Sequence, residues 1–171
     1  MSKAFTRESD DLPERLEPRP SSALPPGAKN YLTPDGARRL RAELDRLAQI
    51  ERPPLAAART DGDARRQLQI LDQRIQQLQR SLQSAEVVAP PDGPPDRVRF
   101  GATVLTRESD GQESSYRIVG VNETDLDRGW VSWMSSIARA LLNAQVGQRV
   151  RIKLPAGERE LEILRIVFES A

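Results

Sequence analysis

The feature that most constrains this chain is a change of hydrophobic period partway along it. Leu68, Leu71, Ile75, Leu78 and Leu82 fall at spacings of 3, 4, 3 and 4, and the positions between them are nearly all Gln, Arg, Asp and Ser. Two apolar positions in seven make the narrow seam of a coiled coil, not the wide face of a globular helix. An earlier stretch repeats the pattern, with Ala37, Leu40, Leu44 and Leu47 at spacings of 3, 4 and 3. Before it, Thr33 is a good N-cap, and Pro34 suits the first helical position, where its missing N–H costs nothing. Two such helices joined by Thr60-Asp61-Gly62-Asp63 form an antiparallel hairpin, with Asp61-Gly62 as the corner and Asp63 capping the second helix. Pro53-Pro54 predicts a kink or break in the first helix, with about one turn resuming from Leu55 to Arg59.

Beyond Ala89-Pro90-Pro91-Asp92-Gly93-Pro94-Pro95-Asp96 the period falls to two. Val98, Phe100, Ala102 and Val104 alternate with more polar residues, and Tyr116, Ile118 and Gly120 continue after a turn at Ser109-Asp110-Gly111. Trp130 to Met134 is a third short run. Val150, Ile152 and Leu154 form a fourth, and Arg159 to Phe168 the last, after a turn at Pro155-Ala156-Gly157. In that final run the inward parity shifts between Ile163 and Leu164, which predicts a β-bulge. Ser135 to Leu142 reads as two helical turns covering the sheet. The fold class is therefore α+β. Residues 1–30 form a Pro-rich tail too poor in apolar bulk to offset its ordering entropy, hence disordered. Residues 31–88 are the coiled-coil hairpin, 89–97 a stiff linker, and 98–171 a small α+β domain near the lower size limit for an independent core.

Composition narrows the chemistry. The 171 residues include no cysteine and no histidine, which excludes disulfides, thiolate metal sites, imidazole base catalysis and a Ser-His-Asp triad. Neither a G-x-G-x-x-G nor a Walker A loop is present. The chain is not expected to be an enzyme by itself. Its formal net charge of +1 gives no bulk attraction to nucleic acid. No run approaches the ~18 apolar residues of a membrane span, so no membrane association is expected. The first residues lack the apolar core of a signal peptide, and a cytoplasmic location is expected.

Three sets of residues stand out. Asp61 and Asp63 at the hairpin tip could hold a hard cation such as Mg²⁺ weakly, with a partner completing the shell; the plainer reading is a turn residue and a helix cap. Between Asp35 and Arg80 there are ten Arg against seven acidic residues. Among these, Arg59, Arg65 and Arg66 flank the tip and could touch an RNA or DNA backbone, against the plainer reading of a solvated face. The segment from Trp130 to Leu142 holds both tryptophans of a chain with 4% aromatics. They read either as interface anchors or as a plug in the small core. The heptad stripe itself allows two assemblies: an intramolecular hairpin in a monomer, which is the expected state, or a dimerisation module joined through Leu68, Leu71, Ile75, Leu78 and Leu82.

Taken together, the ordered region from about residue 31 to 171 resembles the bacterial Gre transcript-cleavage factors, the GreB branch most. The resemblance is carried by Tyr31-Leu32-Thr33, Gly36, Leu40, Glu43 and Leu44, then Glu51-Arg52-Pro53 and Leu71-Asp72, Arg74-Ile75 and Leu78. It continues through Phe100-Gly101-Ala102, Val104, Arg117-Ile118-Val119-Gly120, Ala138-Arg139-Ala140-Leu141-Leu142, Val146-Gly147 and Pro155-Ala156-Gly157-Glu158. It implies a coiled-coil hairpin and an FKBP-like C-terminal domain. That domain docks on RNA polymerase at the mouth of the secondary channel, while the hairpin enters it and presents acidic residues to the polymerase's Mg²⁺. Any such Mg²⁺ is shared with polymerase, and no cofactor of its own is implied.

Two departures qualify the resemblance. The family's acidic tip, Asp/Glu-x-x-Glu-Asn-x-Glu-Tyr, has no counterpart here. The hairpin is shorter by roughly 13 residues, about one heptad per helix, which at 1.5 Å per residue removes about 10 Å of reach. Asp61 and Asp63 replace that tip in type but not in position. The docking loop, usually Asp-Ser-Pro, reads Met134-Ser135-Ser136. The implied polymerase-binding residues are Trp133, Met134, Ser135, Ser136, Ala138 and Arg139. The expectation is a Gre-like elongation regulator with weak or no stimulation of cleavage; the alternative is a full cleavage factor using Asp61 and Asp63.

Overall fold

The structure, a computed structural model, describes residues 24–58 and 60–169. The expected tail, residues 1–30, falls outside them up to residue 23. Its last residues are ordered, however. Lys29 Nζ pairs with Glu86 at 3.0 Å, and Asn30 opens strand β1 (Asn30–Leu32). The boundary at 30 is therefore corrected: Asn30 is buried, and its side-chain amide donates to the Ser81 carbonyl at 2.8 Å.

Helix α1 (Pro34–Arg46) starts as expected, with the Thr33 hydroxyl accepting the Gly36 N–H. Of the kink or break expected at Pro53-Pro54, a full break does not occur, and the helix changes its winding instead. A π turn (Leu47–Glu51) leads directly into α2 (Arg52–Ala57), and the Arg52 N–H reaches back to the Leu47 carbonyl. Both prolines then lie in the first turn of α2, where no N–H is required, and the wider π turn accommodates their rings. Helix α3 (Gly62–Ser84) follows a short turn.

Leu32, Ala37, Leu40 and Leu47 from the first stretch pack with Leu71, Ile75 and Leu78 of α3 in one apolar cluster. Arg74 binds both carboxylate oxygens of Glu43 at 2.9 and 3.1 Å, and Arg52 pairs with Asp72 at 2.7 Å. As residue numbers rise in one stretch the partners fall in the other, so the two run in opposite directions. Each such half-exposed pair contributes only ~0.2–1 kcal/mol. Their effect is on register more than on stability.

The last residues of the expected hairpin are strand, not helix. Strand β2 (Ala85–Val87) pairs in parallel with β1, Asn30 opposite Ala85 and Leu32 opposite Val87. A five-stranded sheet follows, with order β5-β4-β3-β7-β6. It comprises β3 (Ala102–Glu108), β4 (Glu113–Val119), β5 (Trp130–Ser132), β6 (Arg149–Leu154) and β7 (Gly157–Phe168). Strand β3 is antiparallel to both neighbours, and β5 joins β4 in parallel. Leu105 lies opposite Arg165 but Thr106 opposite Ile163. Leu164 is thus the extra residue of a bulge, where the parity shift places it.

Val98 and Phe100 precede the sheet instead of opening it. Gly101 turns the chain at φ 84°, a conformation that favours glycine. Val98 instead exchanges backbone hydrogen bonds with the loop after helix α4 (Ser136–Leu141), through Asn143 and Ala144. Ala138 and Leu141 of α4 are fully buried against Val104, Ile118, Ile152, Leu161 and Ile163. The apolar faces of sheet and helix thus make one core, separate from the helical cluster.

Candidate functional site

At the helical tip, Ala58 leaves helical geometry (ψ 42°) and its carbonyl accepts the Asp61 N–H at 3.1 Å. Asp61, not Asp63, caps α3: its Oδ1 accepts the Asp63 N–H at 2.9 Å. The correction has a simple cause. Helix α3 begins at Gly62, so the residue with extended backbone just before it, at φ −82° and ψ 125°, is Asp61. Asp63 sits in the first turn, where a carboxylate complements the helix dipole, and lies 4.0 Å from Arg66. Both acids and both arginines, Arg65 and Arg66, are exposed. Arg59 lies outside the described residues.

This tip does not fit a resident metal. A hard cation takes six or more oxygen ligands. One oxygen of Asp61 is engaged in capping, and no cluster of three or more metal-ligating side chains occurs among the described residues. The pair adds negative charge at an exposed end and no closed coordination shell.

The tryptophan segment lies at the base of the helices. Trp133 is half-buried, edge-on to Tyr31 of β1 at 5.2 Å between ring centroids, and Tyr31 also meets Phe100 at 5.7 Å. Its indole N–H is buried, so this ring ties the N-terminal strand to the sheet domain. Trp130 is covered by guanidinium groups: Arg39 at 4.6 Å, and Arg117 and Arg128 at 5.0 Å each. Each cation over the ring adds ~0.5–2 kcal/mol of attraction. Arg39 comes from α1, and nothing in the sequence sets it apart from the other outward-facing arginines. Burial at this base opposes ionisation of Asp35, but the neighbouring Arg39 and Arg38 guanidiniums prevail and hold its carboxyl below the ordinary value.

Met134, Ser135 and Ser136 turn the chain into α4. The Met134 N–H donates to Ser132 Oγ at 3.2 Å. Ser135 Oγ caps α4 by accepting the Ala138 N–H at 3.1 Å, which explains a serine here by local structure alone. Ser136 and Arg139 are exposed, while Ala138 is buried. The six residues named for docking thus divide: Ala138 belongs to the core, Trp133 to the joint, Ser135 to the helix cap, and Met134, Ser136 and Arg139 offer surface. No helix among the described residues is long and apolar enough to cross a membrane.

Comparison with known proteins places this architecture. Residues 93–168 match the family described as transcription elongation factor, GreA/GreB, C-terminal. The chain is 41% identical to transcription elongation factor GreA of Alkalilimnicola ehrlichii, with 82% of this chain and 99% of the relative covered. It is 38% identical to transcription elongation factor GreB of Neisseria meningitidis, covering 82% and 94%. A solved GreA/GreB structure from Nitrosomonas europaea aligns with 82% of this chain and 100% of its own length at 23% identity and a TM-score of 0.41; the assignment rests on the sequence identities. What the sequence matches define is a transcription elongation factor. The chain belongs to the GreA/GreB family. The match to the GreA relative runs over 156 residues, yet 82% of this 171-residue chain is about 140, so about 16 positions of the relative have no counterpart here.

Proposed function

We propose that this chain binds bacterial RNA polymerase at the secondary channel and regulates elongation there, with weak or no stimulation of transcript cleavage. An FKBP-like domain following the linker at 89–97 supplies the docking surface, and the helices between Pro34 and Ser84 act as the coiled-coil hairpin that points into the channel. The chain is no enzyme by itself; it changes what polymerase does, in the cytoplasm. The observation carrying the reading is the tip. Its acidic content is Asp61 and Asp63, one of them engaged as a helix cap, in a chain whose matched stretch lacks about 16 positions of its GreA relative. A hairpin ~10 Å short cannot bring a carboxylate to the ~2 Å that metal coordination needs. Arg65 and Arg66, exposed beside the tip, contact RNA or DNA phosphates within the complex in this reading. Trp133 and Ala138 support the docking surface from beneath, and Met134, Ser135, Ser136 and Arg139 line it.

Binding is tested with purified core polymerase immobilised on a sensor. Wild-type protein is expected to bind. The double variant Met134→Glu/Arg139→Glu is expected to lose ~tenfold or more in affinity, about 1.4 kcal/mol, without a change in melting temperature. Asp61→Asn/Asp63→Asn is expected to bind within about twofold of wild type, since exposed charges away from the contact contribute little. Absence of detectable wild-type binding would overturn the proposal.

A further inference from the structure

We infer that Glu123 is a positioning residue: a single buried carboxylate in the sheet domain that sets the direction in which the helical pair points. Glu123 ends a short 3₁₀ turn (Val121–Glu123) after β4, and its side chain is 1% exposed. Every polar neighbour it has lies at the base of the helices or in its own turn. Oε2 accepts the Thr33 N–H at 2.9 Å and the Gly120 N–H at 3.0 Å. Oε1 accepts the Thr33 hydroxyl and lies 3.6 Å from Arg39 Nη2. Thr33 is the N-cap of α1, so the carboxylate faces the positive end of that helix as well as its capping residue. A buried carboxylate stripped of these donors would carry a penalty of several kcal/mol.

The neighbouring residue completes the device. Asn122 Nδ2 donates to Ser81 Oγ of α3 at 2.8 Å and to Asn30 Oδ1 at 3.3 Å. One short turn therefore holds both helices, α1 through Glu123 and α3 through Asn122. A single anchor leaves a rod free to swivel, whereas two anchors on two helices fix its angle. Room for the contact is made by glycine. A Cβ at Gly36 would stand 1.8 Å from Glu123 Oε1, and one at Gly120 would stand 2.1 Å from the Tyr31 carbonyl oxygen. Arg39 then links the carboxylate to the Trp130 ring.

The consequence scales with the lever. A 23-residue helix is about 34 Å long, so a 10° error at the base moves the tip by ~6 Å. For a factor that works by what its tip reaches, such an error is decisive; this functional weight rests on the reading above, while the latch itself does not.

The test uses the free chain and so is independent of polymerase. The protein has no native cysteine, so nitroxides are attached through Gln69→Cys on α3 and Gln112→Cys in the β3–β4 turn, both exposed. Pulsed electron–electron resonance on the otherwise wild-type chain is expected to give one narrow distance. Glu123→Leu and Gly36→Ala are each expected to broaden it at least ~twofold while the melting of the sheet domain holds, and Glu123→Gln, which keeps two acceptor contacts, to broaden it less. Asn122→Ala, the mildest change, decides the matter should the Glu123 and Gly36 variants not fold: broadening supports the latch. A narrow, unshifted distance in folded Glu123→Leu, or in Asn122→Ala when that is the variant read, would overturn it.

Discussion

Ile75→Asp is expected to unfold the helical half of this chain while the protein remains a monomer. Ile75 is 8% exposed, in the cluster that joins α3 to Leu40 and Leu47. A carboxylate placed there has no charged partner among those apolar residues, and desolvating it costs several kcal/mol. A pair of helices joined by a short turn cannot absorb that, because most of a helix's stability in a protein comes from packing of its apolar face. Far-UV circular dichroism should lose most of its helical signal at 25 °C. The sheet signal should persist, since the sheet core shares no residue with the helical cluster. Light scattering should report a monomer before and after. A wild-type dimer that dissociates into folded monomers on this substitution would instead make the heptad stripe an intermolecular seam.

Leu141→Ala is the second large effect. Leu141 is fully buried on α4 against the sheet. Truncating such a leucine costs ~2–5 kcal/mol, because the cavity left behind collapses only partly. A domain of this size has only about 4–11 kcal/mol of stability in total. Each kcal/mol shifts a small domain's melting temperature by roughly 4–8 °C, so a fall of about 10 °C or more is expected by calorimetry. Arg139→Ala, two residues earlier on the exposed face of the same helix, should move it by less than about 2 °C. The contrast separates the buried face of α4 from the exposed face that carries Arg139.

Much of this architecture is legible from local pattern. The seam residues Leu71, Ile75 and Leu78 are the buried ones because a 3.5-residue period keeps one stripe turned toward a partner. The bulge at Leu164 follows from a parity shift in a run of alternating residues. What stays illegible depends on partners distant in sequence. Strands β1 and β2 are three residues each, too short to show a period, and they pair across more than fifty residues. The π turn before Pro53-Pro54 is one way for a helix to pass two prolines, and the sequence shows only that they must be passed. Glu123 lies in a polar loop, Val121-Asn122-Glu123-Thr124, and looks like surface until the first turn of α1 closes over it. Gly120 reads as the end of an alternating strand, yet it is glycine because the Tyr31 carbonyl lies where a Cβ would be. At the tip, a change of one position in the helix start transfers the cap from Asp63 to Asp61, and with it the availability of one carboxylate oxygen.

The central claim is that this family member acts through its presence on polymerase and not by supplying carboxylates to the reaction. It is tested most directly by adding the purified chain to backtracked elongation complexes and reading RNA length on a gel over time. Transcript lengths close to those without the factor, in complexes shown by co-elution to carry it, are the predicted result. Rapid shortening from the 3′ end that is abolished by Asp61→Asn/Asp63→Asn would contradict it and establish the tip as a working cleavage element.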